Sequence, residues 1–336
     1  MGQEVEELEI KPWRVAWPYL SYSIGSLLAL FKFREMRADI LIADNMECSL
    51  LAVLIKRLFG TPFIFDFIDD YSKIMEYDGQ NTRYKLAKRL ERIVPKLADT
   101  VIAVDPEKEA FCRRLGIAPE KIVMVPNGCD SDMFKPQKKD LSLGKELGVH
   151  AKKVVTLVGK LNGYYELDMV IKAIPQVISQ VPELKLLLVG EGKDLVGLQK
   201  LVRDLRLEDH VSFIGPYSHE EIPRIINLSD VCILPIPAGS ALVLYEFMAC
   251  EKPVIVPKGG TEKMGVSKEF FPDGCVLRVD KTPSGFAEGM IYLLENRDAA
   301  LQMGLEARKR VSTSFAWDTL SRAYLNALRA TAQNTS

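Results

Sequence analysis

At 336 residues the chain is longer than one hydrophobic core usually spans, so two domains are expected before any motif is read. Its 48% hydrophobic and 26% charged residues are ordinary for a globular protein and exclude disordered and fibrous classes. A formal net charge of -1 gives no global attraction to nucleic acid or to an anionic membrane, so a polyanionic partner would need a local basic patch.

The first residues, MGQEVEELEIK, are acidic where a secretory signal would be basic and then apolar, so a cytoplasmic protein is expected. The uncharged run from Val15 to Phe31 is broken by Pro18, Gly25 and several serines and is shorter than the roughly 20 residues of a spanning helix. It reads as a domain helix, with an interfacial membrane helix as the rival reading. ADILIAD (38–44) reads as a strand, followed by a helix to Gly60, and PFIFDFIDD gives the next strand and its loop. A helix from Thr82 to Leu97 carries Leu86, Leu90, Ile93 and Leu97 at helical spacing, with Lys85, Lys88, Arg89, Arg92 and Lys96 on the other side. That basic stripe is either a solvated face or a contact for anionic lipid at the inner face of the membrane. TVIAV, a short helix from Pro106, and KIVMVPNG complete the first half.

The polar segment KPQKKD (135–140) reads as an inter-domain linker. The rhythm then restarts with five apolar strand candidates, KVVTLVGK, LKLLLVGEG, HVSFIGP, DVCILP and KPVIVP. Ser218 with Glu221 has the spacing of a capping box. Alternating strands and helices imply an α/β class with parallel sheets, and in such sheets ligands bind beyond the carboxyl ends of the strands.

The cysteines Cys48, Cys112, Cys129, Cys232, Cys250 and Cys275 form no CxxC pair and read as buried free thiols in a reducing compartment. His150, His210 and His219 stand apart from one another and from the cysteines, so no zinc site is expected.

Chemistry concentrates in DVCILPIPAGSALVLYEFMACEKPVIVP (230–257): a strand, a loop, a helix and another strand. The helix amino terminus aims free N–H groups and its positive dipole end at the loop, an anion site for a diphosphate. The loop runs from Ile236 to Ser240, Gly239 lets the backbone approach closely, and Gly239, Ser240, Ala241 and Leu242 are the candidate binding residues. Glu246 follows among Leu244, Phe247, Met248 and Ala249, where its carboxylate could accept hydrogen bonds from a ribose diol; the alternative is a solvated helix residue.

This block resembles the donor-binding segment of glycosyltransferase family 4, retaining enzymes of GT-B fold, in which an E-x7-E motif precedes a G-x-PVI strand. Glu246 matches the second glutamate, which the resemblance assigns to the nucleotide ribose; Ala238 stands at the first and Glu251 at the usual glycine. VPNGCDSDMF (125–134) is similar to the P-N-G-x-D segment that ends the first domain, and the resemblance runs from about Asp39 to Leu328. It puts Gly190, Glu191 and Gly192 beside the nucleotide and Gly215, Pro216 and Tyr217 at the base. VGKLNGYYELDMVIKAI resembles the G-R-L-x-x-x-K-G stretch, with Gly159 retained, Lys160 for the arginine, Tyr165 for the lysine and Glu166 for the glycine. The arginine and lysine of that stretch neutralise the departing diphosphate. Ile68 stands where the family often carries a histidine, and the neighbouring Asp69 and Asp70 are candidate contacts to sugar or acceptor, or caps of the next helix. Asp130-Ser131-Asp132 is formally a DxD, but its place after Pro126-Asn127-Gly128 favours a linker role over a metal site.

The resemblance implies two Rossmann-type domains facing across a cleft: a shortened acceptor-side domain (1–138), a nucleotide-sugar domain (139–314), and a final helix (315–336) crossing back. No first strand with a glycine-rich loop precedes the equivalent of Ile40. The implied reaction is transfer of a hexosyl unit from a nucleoside diphosphate sugar to a hydroxyl of a lipid or glycan, with retained configuration and without metal or other cofactor. Lys160, Glu246 and Asp69 are the catalytic candidates. A relative that binds a nucleotide-sugar or partner subunit without turnover is the competing reading, and no nucleic-acid partner is expected.

Overall fold

The computed structural model describes residues 30, 32–33, 38–44, 46–77, 81–162, 166–236, 242–258 and 268–333. The chain divides into two compact units, one of Met1–Ala103, Lys108–Met124 and Leu325–Ser336, the other of Val104–Glu107 and Val125–Tyr324. The run from Val15 to Phe31 lies outside the described residues except for residue 30.

The elements of the first unit are β1 (Leu41–Ala43), α1 (Met46–Phe59), β2 (Phe63–Phe67), α2 (Tyr71–Tyr77), α3 (Asn81–Leu97), β3 (Thr100–Ala103), α4 (Pro106–Arg114) and β4 (Ile122–Met124). The strands form a parallel sheet in the order β1-β2-β3-β4. All five residues of β2 are buried, as expected of a strand covered on both faces, and Phe63, Phe65 and Phe67 pack with Val94 and Val101 in the core. Helix α3 is oriented differently from the sequence expectation. Leu86 and Ile93 are exposed beside Lys85, Arg89, Arg92 and Lys96, while Ala87, Glu91 and Val94 are buried. The cause is Glu91, whose carboxylate accepts from the Ser72 amide at 2.7 Å and from its hydroxyl at 2.6 Å, turning that face inward.

The second unit contains α5 (Leu141–Glu146), β5 (Lys153–Val158), α6 (Leu167–Ile178), β6 (Leu184–Val189), α7 (Leu195–Asp204), β7 (Val211–Phe213), α8 (Ile222–Leu228), β8 (Val231–Ile233), α9 (Leu242–Ala249), β9 (Val254–Pro257), β10 (Leu277–Val279), α10 (Pro283–Glu295) and α11 (Arg297–Ser314). Helix α12 (Trp317–Gln333) follows; from Leu325 on its residues group with the first unit, where Thr331 and Thr100 hydroxyls meet at 2.7 Å. The parallel sheet runs β7-β6-β5-β8-β9-β10, so the chain order reverses direction between β5 and β8. Such a reversal is where open α/β sheets leave a crevice for ligands. Strand β5 pairs with β6 over its whole length but with β8 only at Val155↔Val231 and Thr156↔Cys232. Leu157 and Val158 therefore run on without a β8 partner in that register.

Three further expectations meet a different arrangement. The KPQKKD segment groups with the second unit and is pinned to it, by Lys139 on Asp230 at 2.7 Å, Asp140 on Arg224 at 2.8 Å and Gln137 N on Asn227 Oδ1 at 2.9 Å. Glu221 accepts from the amide and hydroxyl of Ser218, at 3.2 and 2.9 Å, which is only the reach-back half of a capping box. Of the six free cysteines, Cys48 is exposed rather than buried.

Candidate functional site

The loops after β5 and β6 are joined backbone to backbone. Gly159 N donates to Val189 O at 3.0 Å, Leu161 N to Glu191 O at 2.9 Å, and Gly190 N to Gly215 O, the glycine after β7, at 2.8 Å. A Cβ on Gly190 would collide with the Gly159 carbonyl, and one on Gly192 with the Leu161 carbonyl, so only glycine permits this stitching. Gly215 has a φ of 73°, in the left-handed region that glycine enters without strain. The sequence candidates Gly159, Lys160, Glu191, Gly192, Pro216 and Tyr217 thus lie at the carboxyl ends of three adjacent strands. Lys160 and Glu191 are exposed there. The amides of Lys160, Glu191 and Gly192 have no acceptor among the described residues.

Strand β8 leads toward α9 across the switch point. Gly239, Ser240 and Ala241 lie outside the described residues, as do Ala238 and Tyr165; Leu242, the first residue of α9, is half exposed. From Leu244 on α9 is buried: Leu244, Tyr245, Phe247 and Met248 are fully enclosed, and Tyr245 packs edge-on to Phe271 at 5.4 Å.

Glu246 is the exception in chemistry, not in burial. It is 8% exposed, and burial raises the pKa of its carboxyl group above the ordinary carboxylate value, while His219 acts in the opposite direction. His219 Nε2 stands 2.9 Å from Glu246 Oε1, and the imidazole packs on the Phe134 ring at 5.1 Å between centroids. His219 entered the sequence reading only as an unsuitable zinc ligand. Its position two residues after Tyr217 was the available signal, but its partner lies 27 residues on.

Below α9 the segment that includes Pro126-Asn127-Gly128 is held by the end of α11. Cys129 N donates to Phe315 O at 3.1 Å, Cys129 and Ala316 form a parallel bridge, and a Cβ on Gly128 would strike the Phe315 carbonyl. Asp130 Oδ1 accepts from the amides of Asp132 and Met133, both at 2.9 Å, so this carboxylate caps a turn. Arg308 of α11 donates to the carbonyls of Phe134 and Ala249, at 2.7 and 2.6 Å. Among the described residues no group of three or more His, Cys, Asp or Glu is placed to hold a metal ion.

Asp69 belongs to the first unit, where it is exposed after β2 and ahead of α2, whereas Lys160, the glycine loops and Glu246 belong to the second.

Residues 140–310 match the family described as glycosyl transferases group 1, and residues 2–128 match the glycosyl transferase 4-like domain. The chain belongs to the glycosyl transferases group 1 family. As a group 1 member it is 29% identical over 215 residues to the GDP-mannose-dependent alpha-(1-6)-phosphatidylinositol monomannoside mannosyltransferase of Mycobacterium tuberculosis. That match takes in 61% of this chain and 55% of the relative, so the chain spans little more than half of that protein. Similarity to the UDP-Gal:alpha-D-GlcNAc-diphosphoundecaprenol alpha-1,3-galactosyltransferase of Escherichia coli is 25% over 299 residues, 86% of this chain and 75% of that one. The fold is GT-B: the structure matches Anabaena Alr3699/HepE in complex with UDP at a TM-score of 0.79 and 20% identity, over 91% of this chain and 82% of that chain.

Proposed function

We propose that this group 1 family member is a glycosyltransferase that takes a hexosyl unit from a nucleoside diphosphate sugar and places it, with retained configuration, on a hydroxyl of a lipid or glycan acceptor. The observation that carries this reading is the buried carboxylate of Glu246 on the helix that follows β8, in a unit whose sheet has the nucleotide-binding strand order. Glu246 holds the ribose diol. The glycine loops 159–160 and 190–192 admit the diphosphate, and Pro216 with Tyr217 borders the base. In the reaction the bond between the anomeric carbon and the diphosphate oxygen breaks, and the diphosphate leaves with the electron pair. The acceptor oxygen forms the new bond and passes its proton to the departing diphosphate oxygen. Lys160 and the amino-terminal end of α9 supply the positive charge that departure needs, so no metal is assigned to the step. Asp69, in the first unit, is assigned to the acceptor.

Two relatives support a lipid-borne acceptor, being named for phosphatidylinositol monomannoside and for a diphosphoundecaprenol-linked GlcNAc. The exposed Leu86 and Ile93, set among the basic residues of α3, support a peripheral contact with an anionic bilayer on the cytoplasmic side. No described helix is long and apolar enough to cross a membrane.

Calorimetric titration with UDP-, GDP- and ADP-sugars, followed by a donor-hydrolysis assay on whichever binds, tests the reading. Binding with release of free sugar is expected from one of the three; silence from all of them overturns it.

A further inference from the structure

A carboxyl group with 11% of its side-chain surface exposed, on a helix whose other side chains apart from Tyr245 are apolar, has little to keep it ionised or aimed. His219 supplies both. Its imbalance of exposure is informative: the imidazole is 60% exposed yet reaches inward to Glu246 Oε1 at 2.9 Å, with Phe134 against its face. The turn that carries it is fixed by Ser218 and Glu221. Glu246 Oε2 has no hydrogen-bond partner among the described residues.

The other titratable groups around Glu246 do not share this work. Cys129, on the segment bridged to Ala316, and Cys250, just beyond α9, are buried thiols pushed up to about 11 and about 12 and are neutral at physiological pH. Arg308, which interacts with both thiols, is bonded to the carbonyls of Ser131, Phe134 and Ala249. Among the described residues His219 alone opposes the effect of burial on Glu246.

We propose that His219 is a positioning residue for the bound nucleotide: its Nε2–H holds Glu246 Oε1 and so presents Oε2 to a hydroxyl of the ribose diol. The proposal rests on the reading of Glu246 as the diol-binding carboxylate. An ionised carboxylate offers acceptor lone pairs on both oxygens, whereas a protonated one must itself donate, so loss of the imidazole costs both aim and charge state.

The test is calorimetric titration of the full chain with UDP, GDP and ADP between pH 5 and pH 8.5, carried on with whichever binds, for the wild type, His219→Ala, His219→Gln and Glu246→Gln. Wild-type affinity should fall as pH drops through a midpoint above the ordinary carboxylate range. His219→Ala should weaken binding at pH 7 by about fivefold to tenfold. It should also move the midpoint up, since His219 opposes the effect of burial on the Glu246 carboxyl group. His219→Gln, which keeps an N–H donor, should recover most of the affinity at pH 8 and bring the midpoint most of the way back, because the hydrogen bond is the larger of the two effects of His219 on Glu246; a merely structural role for the ring would leave the midpoint unmoved in His219→Ala. Weak binding by Glu246→Gln together with wild-type affinity and midpoint in His219→Ala overturns the proposal alone. Wild-type binding by Glu246→Gln, or no binding of any of the three nucleotides, overturns the reading of the site and the proposal with it.

Discussion

Gly190 and Gly159 meet with no side chain between them, the carbonyl of one occupying the place where a Cβ of the other would stand. Gly190→Ala should therefore lower the stability of the second unit by about 3 kcal/mol through overpacking against backbone that cannot yield. Gly197→Ala, on α7 with nothing within 4 Å of its added methyl, should instead stabilise by roughly 0.5–1 kcal/mol. Urea unfolding of the two variants reads the difference.

Glu251 adopts a φ of 58° just after α9, where Lys252 N donates to Phe247 O at 3.1 Å and Glu251 N to Met248 O at 3.0 Å. These two bonds are the Schellman arrangement, which favours glycine at this residue. The backbone there is also clamped, since Gly304 lies directly against the Glu251 carbonyl. Glu251→Gly should raise stability by about 1 kcal/mol. A rise in the thermal midpoint of unfolding checks it.

Thiol reactivity should single out Cys48. Cys112 and Cys250 are pushed up to about 12 by burial, so almost none of either is thiolate at pH 8, and both are out of reach of a reagent. Titration of the native protein with a chromogenic disulfide should show one fast thiol, and Cys48→Ser should remove that phase.

Glu246 should make stability depend on pH with a sign opposite to that of most carboxylates. Its folded-state pKa is raised, so the folded state holds the proton more tightly than the unfolded state does. Stability from this group is then gained as pH falls through the raised value toward 4.5, and is missing at pH 8. Relative to wild type, Glu246→Gln should be more stable at pH 8, with the gap narrowing by pH 5, while nucleotide binding falls at least about tenfold. Denaturation at the two pH values separates this from a general loss of packing.

Lys160→Ala should slow sugar transfer by about 10²–10³ while leaving nucleotide binding within about tenfold, because the charge matters most as the diphosphate departs. Single-turnover rates with the donor identified by titration measure the split.

The sequence made the frame of the second unit readable because β5 and β6 are mainly apolar runs followed by glycine, and Gly190 and Gly192 are required by close backbone contacts. Strand β10 escaped notice: three residues long at the sheet edge, it carries Arg278, which is paired with Asp273. The face of α3 was misread because periodicity counts leucines, whereas a single buried glutamate bonded to Ser72 decided the orientation. Glu246 was legible as a carboxylate in an apolar helix. His219 was not, since nothing local marks a surface imidazole whose partner is on another element. Glu166 and Glu251 were visible as replacements of glycine, yet not that the backbone would stay left-handed at both, with φ of 48° and 58°.

The bridge between Cys129 and Ala316 has a consequence for how such a chain can be rearranged. Residues near the beginning of the second unit run alongside residues near its end, at the spacing of neighbouring strands, about 4.8 Å. The long segment of the unit, Val125–Tyr324, therefore begins and ends at one place, with only the short stretch Val104–Glu107 contributed separately. A unit gathered at such a neck is a cassette: it can be exchanged between hosts, or its ends joined and new ends cut elsewhere, with its strand order undisturbed.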